Sequence, residues 1–350
     1  MSNSELRLFR IAQAWSGPAM AQAADWTYEL SAAHVAELDR AVASAEATNT
    51  ALLDIGVSGF RLPRLEPVLA KIRDNVLHGR GFHLIRGIPV ERYSVPQTAI
   101  AFWGIGQHLG EPVPQNGRGH MLGHVTNVGL NYDDPEVRGY QTNARLPYHT
   151  DLSDVVALVC LRSSKSGGLS SIVSSTSLWN ELVRRRPQFA RVLQRPLYYT
   201  RWGEIPEGKL AHESAPVFTP WQGRMIATYV RSAIKKAQAL PEVPRLTDEQ
   251  IEAMDFLDSL CVDPCHHLDM AFAPGDMQIL CNHFIFHSRT AYEDWPDPGR
   301  RRHLLRLWLA SAGGPELPPF MCERTGRTAS GRPDGIRVPG VAPAAPLVAV

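Results

Sequence analysis

Short apolar segments separated by turns dominate the chain from residue 155 onward, and they constrain the fold more than any other feature. Each is rich in branched or bulky side chains and is bounded by glycine- or proline-bearing turns, a pattern typical of β-strands. We predict strands at 155–161, 170–174, 225–230, 277–281, 284–287 and 304–309. Because few of them alternate regularly with helices, the pattern disfavours a doubly wound parallel sheet and favours a sandwich or jelly roll.

Helical spacing of apolar residues is concentrated in the first third of the chain. We predict helices at 35–48, 65–78, 96–108, 177–194 and 247–260. The last of these begins with Thr247-Asp248-Glu249-Gln250, a capping-box pattern. The sequence therefore predicts one mainly β domain with flanking helices over residues 1–312, with a helical N-terminal elaboration over about 1–80. A Pro- and Gly-rich tail follows at 313–350, which we expect to be extended on the surface and ordered in part by packing.

Charge and hydropathy exclude several classes of partner. Lys and Arg number 36 against 35 Asp and Glu, for a formal net charge of +1, so no global field favours nucleic acid or an anionic membrane. No apolar run is long enough to cross a bilayer, and the first residues do not resemble a signal peptide. We expect a cytoplasmic protein that acts on a small molecule; homo-oligomerisation stays open.

Five scattered cysteines are an odd number, which does not suit a disulfide framework and indicates reduced thiols. Cys261, Cys265, His266 and His267 raise the alternative of a zinc site. No second pair of ligands stands at a zinc-finger distance, so the preferred interpretation is a helix end that leads into a strand.

One short motif has the residue types of a metal site. If Tyr148-His149-Thr150-Asp151 is extended, His149 and Asp151 point to the same face because strand side chains alternate. A third ligand from a distant strand would complete a site of two histidines and one carboxylate. Such a triad leaves positions open on Fe(II) for a bidentate co-substrate and O₂. A His-x-Asp motif alone also occurs by chance in surface pairs.

The candidate third ligand lies near the C-terminal end of the predicted sheet. A glycine turn at Gly275 leads into an apolar strand and then to two histidines, His283 and His287, among bulky residues. Positions 283, 285 and 287 share one face of a continuous strand, so the pattern itself does not choose between the two histidines.

Two arginines occupy one face of the last predicted strand. Arg302 and Arg306 are four residues apart in a segment that becomes steadily more apolar, so both are expected to be partly or fully buried. A buried guanidinium requires a carboxylate partner, and arginine is well matched to bidentate binding of one. The partner could be a ligand or a nearby acidic residue such as Asp276, Glu293 or Asp294.

Together these segments resemble a known family. His149-Thr150-Asp151, Gly167-Gly168-Leu169-Ser170, the run from Gly275 to Asp294, and Arg301-Arg302 with Arg306-Leu307-Trp308-Leu309 are similar, in this order, to the taurine dioxygenase/TfdA-like branch of Fe(II)/2-oxoglutarate-dependent oxygenases. The resemblance covers about residues 80–310. It implies a double-stranded β-helix, a jelly roll of the cupin type, and it implies His287 rather than His283 as the distal iron ligand.

The resemblance also implies roles for the remaining residues. Iron would be bound by His149, Asp151 and His287, and 2-oxoglutarate and O₂ would be co-substrates. Arg302 matches the arginine that binds the distal carboxylate of 2-oxoglutarate, and Ser170 matches a hydroxyl that supports it. Arg306 matches a position that faces either the co-substrate or an acidic group of the substrate.

The expected reaction is hydroxylation of an unactivated C–H bond in a small, anionic organic molecule, with release of succinate and CO₂. Desaturation, epimerisation or ring formation at the same iron is an alternative that the sequence does not distinguish. A cupin-like protein with a structural metal is a second alternative, which the open coordination positions disfavour. The segments at about 112–132 and 200–215, where the family has its substrate loops, match nothing that identifies a substrate.

Overall fold

A computed structural model describes residues 6–131 and 138–349. The helices are α1 (Gly17–Gln22), α2 (Ala32–Ala47), α3 (Glu66–His78), α4 (Val95–Leu109), α5 (Ser175–Arg185), α6 (Pro187–Leu193), α7 (Arg231–Ala237), α8 (Asp248–Cys261) and α9 (Pro319–Thr325). The strands are β1 (Thr27–Glu29), β2 (Phe82–Arg86), β3 (Glu111–Val113), β4 (Leu122–Val125), β5 (Leu146–His149), β6 (Val155–Arg162), β7 (Ser166–Gly167), β8 (Ser170–Ser174), β9 (Leu197–Thr200), β10 (His212–Ala215), β11 (Phe218–Trp221), β12 (Arg224–Ala227), β13 (His267–Met270), β14 (Met277–Cys281), β15 (Ile285–Arg289), β16 (Tyr292–Glu293) and β17 (His303–Ala310).

Most predicted helices occur close to the expected bounds. The capping box opens α8: Thr247 accepts from the backbone N–H of Gln250, and the Gln250 side chain accepts from that of Thr247. The prediction of one helix over 177–194 was wrong, because α5 ends at Arg185 and α6 starts at Pro187. A proline disfavours helical backbone in the residue before it, and Arg186 indeed leaves the helical region, at φ −147° and ψ 67°.

The largest sheet has seven strands in the order β1-β2-β14-β6-β17-β3, with β4 also paired to β17. Strand β6 lies between β14 and β17 and is antiparallel to both. All eight residues of β17 are buried. The sheet therefore supplies a rigid, apolar support for the side chains that β17 directs to one face.

A smaller sheet carries the predicted metal motif. Its order is β13-β8-β15-β5, and β15 pairs antiparallel with β5 so that His287 lies directly opposite His149. The register shifts by a bulge between His287 and Arg289. This pairing brings the two histidines together although they are far apart in sequence.

Strand alternation explains which way the two histidines point. On β15, Ile285 packs in the apolar cluster that the two sheets share, whereas Phe286 packs in a second cluster with α5, α6 and α8. Tyr148, next to His149, also belongs to that second cluster. Since side chains alternate along a strand, His149 and His287 face the larger sheet. The candidate metal site therefore lies between the two sheets.

The segment after Gly313 packs closely on this body. It contains α9, and Arg324, Arg332 and Asp334 are all buried. Arg332 forms an ion pair with Asp154, 178 residues away in sequence. Ile336 and Gly335 line the largest cavity described below. Parts of the predicted tail are thus buried structural elements rather than surface chain.

Two further expectations concern membranes and zinc. Within the described residues, no helix is long and apolar enough to cross a membrane. Cys261 is the last residue of α8 and is buried, and β13 begins at His267. In those same residues, the only cluster of His, Cys, Asp or Glu compact enough to hold a metal lies elsewhere, which agrees with the helix-to-strand interpretation.

Candidate active site

His149, Asp151 and His287 form that compact cluster. One potential ligand atom from each lies within 4.8 Å of the others. The Nε2 atom of His149 is 3.9 Å from one Asp151 carboxylate oxygen, and the Nε2 atom of His287 is 3.7 Å from the other. Two imidazoles and one carboxylate therefore converge on a common point, as the sequence motif predicted.

The Asp151 carboxylate is held in place from three directions. Its Oδ2 atom accepts a 2.8 Å hydrogen bond from the indole Nε1 of Trp308, and its backbone N–H donates to Asn282. The guanidinium of Arg306 is 3.7 Å from the same Oδ2. Burial by itself would raise the pKa of Asp151, but the charge of Arg306 and the neighbouring imidazoles lower it below its ordinary value. Asp151 is therefore ionised at neutral pH, as a metal ligand must be.

Burial of His287 and the orientation of His149 both suit metal binding. Burial lowers the pKa of His287 to about 3, helped by the proximity of His149. The Nδ1 atom of His149 lies 2.8 Å from the carbonyl oxygen of Pro147. That contact places the ring proton on Nδ1 and leaves the Nε2 lone pair directed at the cluster.

His283, the competing candidate, points elsewhere. It is buried, and its Nε2 atom is 2.7 Å from the carboxylate of Asp154. Arg332 and the backbone N–H of Ser311 also donate to that carboxylate. His283 therefore belongs to a buried polar network beside the cluster, and its imidazole does not face Asp151.

Arg302 is buried, and among the described residues its guanidinium forms no ion pair with a carboxylate. Its Nη2 atom makes a long 3.5 Å contact with the carbonyl oxygen of Gly168, and its Nη1 atom has no hydrogen-bond partner among the described residues. Two acidic candidates have other partners, since Glu293 pairs with Lys165 and Asp276 lies near Arg86. Asp294 accepts from the backbone N–H of Arg302 and forms no ion pair with its guanidinium among the described contacts. Such a buried, incompletely paired guanidinium calls for an anionic ligand.

The Gly167-Gly168 pair explains how the chain comes so close to Arg302. Both glycines have φ near +70°, and a Cβ on Gly168 would lie 3.0 Å from the Nε atom of Arg302. Any other residue would be strained there and would crowd the guanidinium. Two residues further, the buried Ser170 hydroxyl donates to Gln278. The sequence motif thus marks a close approach of backbone to the arginine.

Arg306 lies between the metal cluster and a cavity. Its Nε atom donates a 2.7 Å hydrogen bond to Gln115, and its guanidinium lies over the rings of Tyr140 and Trp308. Its contact with Asp151 is too long for a hydrogen bond. Gln115 and Trp308 had no predicted role, since neither the distant pairing of Gln115 nor the direction of the indole N–H is visible in a sequence pattern.

A cavity of about 750 Å³ opens onto His149, Asp151 and Arg306. Its volume is in the range of small-molecule binding sites. Segment 200–215, which had no predicted role in substrate recognition, contributes several lining residues, whereas no described residue of 112–132 lines the cavity. Other lining residues that sequence reasoning did not identify are Arg138, Tyr140, Arg201, Trp202, Glu213 and Arg324.

Comparison with known proteins identifies the family. Residues 43–308 match the family described as "Taurine catabolism dioxygenase TauD, TfdA family". The chain belongs to this family. Among curated relatives, FR-33289 synthase of Streptomyces rubellomurinus is 29% identical over 329 residues, covering 91% of this chain and 95% of the relative. Uridine-5'-phosphate dioxygenase of an Amycolatopsis species is 29% identical over 232 residues, covering 62% and 81%.

Solved structures share the fold of this dioxygenase. Asparagine oxygenase, in complex with Fe(II), hydroxyasparagine and succinate, superposes with a TM-score of 0.65 at 16% identity, covering 89% of this chain and 99% of its own. The non-heme iron oxygenase OrfP, in complex with Fe and alpha-ketoglutaric acid, gives a TM-score of 0.62 at 18% identity, covering 88% and 100%.

Family membership confirms the predicted enzyme class. The chain is an Fe(II)/2-oxoglutarate-dependent dioxygenase, mainly β with flanking helices, that acts on a small organic molecule. The cluster of His149, Asp151 and His287 has the donor set that Fe(II) requires. The incompletely paired guanidinium of Arg302 has the charge and burial that a dicarboxylate co-substrate requires.

Proposed function

We propose that His149, Asp151 and His287 hold the iron and that Arg302 binds the distal carboxylate of 2-oxoglutarate. The convergence of the three side chains within 4.8 Å carries this proposal. The orphaned Nη1 atom of Arg302 supports the second half of it. Ser170, two residues after the glycine that contacts Arg302, would supply a hydroxyl to the same carboxylate. The two facing sheets would form the double-stranded β-helix of the resembling enzymes.

When bound, iron and 2-oxoglutarate together supply a C–H-oxidising agent from O₂, with succinate and CO₂ as by-products. The chain contributes positioning and charge. Trp308 and Asn282 fix the orientation of Asp151. Burial keeps His287 neutral, and Pro147 orients His149. Three protein ligands leave three positions on an octahedral iron for other molecules.

The substrate in this proposal is a small organic anion that Arg306 helps to recognise and that is hydroxylated. Arg306 lines the cavity beside Asp151, and its guanidinium is close to that carboxylate without a hydrogen bond to it. In this proposal the negative charge of Asp151 is directed mainly at the iron and neutralises Arg306 only in part. The guanidinium of Arg306 therefore stays available for an anionic group of the substrate. Two names among the relatives support an anionic substrate: taurine is a sulfonate, and uridine 5'-phosphate is a phosphate ester.

The iron assignment is tested by metal binding and succinate release. Anaerobically reconstituted protein should bind about one Fe(II) per chain, as a single site requires. His149→Ala, Asp151→Ala and His287→Ala should abolish turnover with far-ultraviolet circular dichroism unchanged. His283→Ala serves as the control and should retain iron. Loss of iron from His283→Ala, with retention in His287→Ala, would show that the distal ligand has been chosen wrongly.

The substrate class is tested with a panel that pairs organic acids with their uncharged esters or amides. Succinate release should be stimulated by one or more acids and not by the matched neutral compounds, because Arg306 would have no anion to bind. Mass analysis of the product should show the gain of one oxygen atom; loss of two hydrogens would indicate desaturation instead. Equal stimulation by neutral analogues would contradict the anionic-substrate proposal.

A further inference from the structure

The cavity wall contains a second group of buried charges, away from Arg306. Arg201 directly follows β9, Glu213 lies in the paired strand β10, and Arg324 comes from α9. The Arg201 guanidinium is 3.1 Å from one oxygen of Glu213, and the Nε atom of Arg324 donates to the other at 3.0 Å. We call these three residues the Arg201 cluster; all of them line the cavity.

The Arg201 cluster carries one positive charge more than its own carboxylate neutralises. The side chains of Arg201, Glu213 and Arg324 are only 9%, 7% and 5% exposed, so water screens this surplus weakly. An uncompensated buried charge is costly in a folded protein. A positive charge that the described residues leave uncompensated at a cavity wall indicates that an anion from solution completes the group.

Within the cluster, Arg201 has fewer of its hydrogen-bond donors satisfied than Arg324. The guanidinium nitrogens of Arg324 donate hydrogen bonds to Glu213 and to the hydroxyl of Thr228. Arg201 donates from Nη1 to the carbonyl oxygen of Arg324, and its Nε atom has no hydrogen-bond partner among the described residues. Burial lowers the pKa of Arg201 from its ordinary value, although an arginine stays charged at neutral pH.

Two other arginines on the cavity wall have acidic partners. Arg138 pairs with Glu204, and Arg231 pairs with both Asp255 and Asp258. In the described part of the wall, Lys and Arg number seven against five Asp and Glu, one of which is the proposed iron ligand Asp151. Among the buried arginines of this wall, the Arg201 cluster therefore keeps one positive charge beyond its own carboxylate, whereas Arg306 lies 3.7 Å from Asp151.

Hydrogen bonds connect the Arg201 cluster to the iron site on its His149 side. Arg324 contacts Thr228, and the next residue, Tyr229, exchanges hydrogen bonds with Thr150, which lies between the two ligands His149 and Asp151. Arg306, in contrast, approaches from β17 on the side of Trp308. The two cationic groups thus belong to different elements of one cavity.

We infer that the cavity has a second anion subsite at Arg201, which binds a carboxylate, sulfonate, phosphate or phosphonate group of the substrate while Arg306 binds another. The inference rests on the proposed function and narrows it: the substrate is an organic molecule with two anionic groups. The C–H bond to be oxidised then lies in the part of the molecule held between the two subsites and presented to the iron.

The test uses sulfate as the probe, because it carries the charge of the expected groups without depending on substrate identity. Full-length protein loaded anaerobically with Fe(II) and saturating 2-oxoglutarate is titrated by calorimetry, so that Arg302 is already occupied. Arg201→Gln, which leaves a neutral Arg324–Glu213 pair, should lose one sulfate site or weaken it at least about tenfold. Glu213→Gln, which adds net positive charge, should bind sulfate more tightly.

The controls separate this inference from a structural role and from the proposed function. Arg191→Gln removes an exposed arginine of α6 and should leave sulfate binding unchanged. Arg306→Gln should lose a different site. If Arg201→Gln and Glu213→Gln bind sulfate as the wild type does while their iron content is intact, the second subsite does not exist. The panel of acids and esters tests the proposed function independently of this result. A substrate with a single anionic group that Arg201→Gln turns over as fast as the wild type would also overturn the inference.

Discussion

Arg302 and Arg306 stand four residues apart on one strand face, yet their surroundings differ. Arg302 has a backbone carbonyl and the Tyr292 ring beside it, and in the part of the chain that the structure describes its guanidinium has no ion pair with a carboxylate. Arg306 has Gln115, two aromatic rings and Asp151 at 3.7 Å. Arg302 is thus left for an anionic ligand, whereas the positive charge of Arg306 is partly compensated by the protein. This difference underlies the assignment of 2-oxoglutarate to Arg302.

Arg302→Ala should raise the concentration of 2-oxoglutarate needed for half-maximal succinate release at least about tenfold. Losing one partner of a buried, hydrogen-bonded charge pair costs on the order of 2–5 kcal/mol. Ser170→Ala should raise it by less, because a neutral hydrogen bond contributes less. Arg301→Ala is the matched control, since that neighbouring side chain is exposed. Unchanged 2-oxoglutarate dependence in Arg302→Ala would refute the assignment.

Individual residue types could be predicted to a considerable extent. His149 and Asp151 were found from their spacing, and Arg302 from its apolar context. The choice between His283 and His287 could not be made from spacing, because both lie on one predicted strand face. In the structure the chain turns between Cys281 and Ile285, so the two histidines belong to different segments, and His283 faces Asp154. Long-range contacts, not local pattern, decide between them.

Strand β17 carries several of the side chains that face the candidate active site. Alternation places Arg306 and Trp308 on the side of the site, and burial of the whole strand fixes their positions. Arg302 immediately precedes the strand and is also buried. The sequence predicted this strand within a residue or two, at 304–309 against His303–Ala310. It could not predict that β6 and β4 flank it, because pairing partners depend on where distant segments pack.

Trp308→Phe should weaken Fe(II) binding about tenfold while retaining the fold. The indole N–H orients the Asp151 carboxylate, and loss of such outer partners typically costs 10–100-fold in metal affinity. Trp103→Phe is the control: that indole also donates a buried hydrogen bond, to the Ile55 carbonyl, but from α4 and away from the ligands. Anaerobic Fe(II) titration of both variants provides the measurement, and equal affinities would show that Trp308 does not position Asp151.

On the scale of the whole molecule, the segment after Gly313 helps to complete the body. Arg332 donates to both carboxylate oxygens of Asp154, which is fully buried, and Arg324 donates two hydrogen bonds to one carboxylate oxygen of Glu213, 111 residues away in sequence. Composition alone predicted a surface segment, since proline, glycine and arginine are typical of exposed chain. The partners that bury these arginines lie too far away in sequence to be recognised.

Arg332→Met should lower the free energy of unfolding by about 3–5 kcal/mol, because it leaves a buried carboxylate without its main partner. Arg327→Met, in the same segment but exposed and bonded only to the Gly331 carbonyl, should change it by no more than about 0.5 kcal/mol. Urea unfolding of the metal-free proteins compares the two. Similar midpoints for both variants would show that the Asp154 pair contributes little.

The contacts of the site join residues that are far apart in sequence, and this affects how the protein folds. Asp151 meets Trp308 across 157 residues and Asn282 across 131, and Asp154 meets Arg332 across 178. Chains dominated by such non-local pairings fold slowly, since large loops must close before their contacts form. A partly folded chain would hold His149 and Asp151 close together but would lack His287. We therefore expect iron to bind tightly only after the sheets have formed, so that its stabilising effect appears in a slower unfolding rate rather than a faster folding rate.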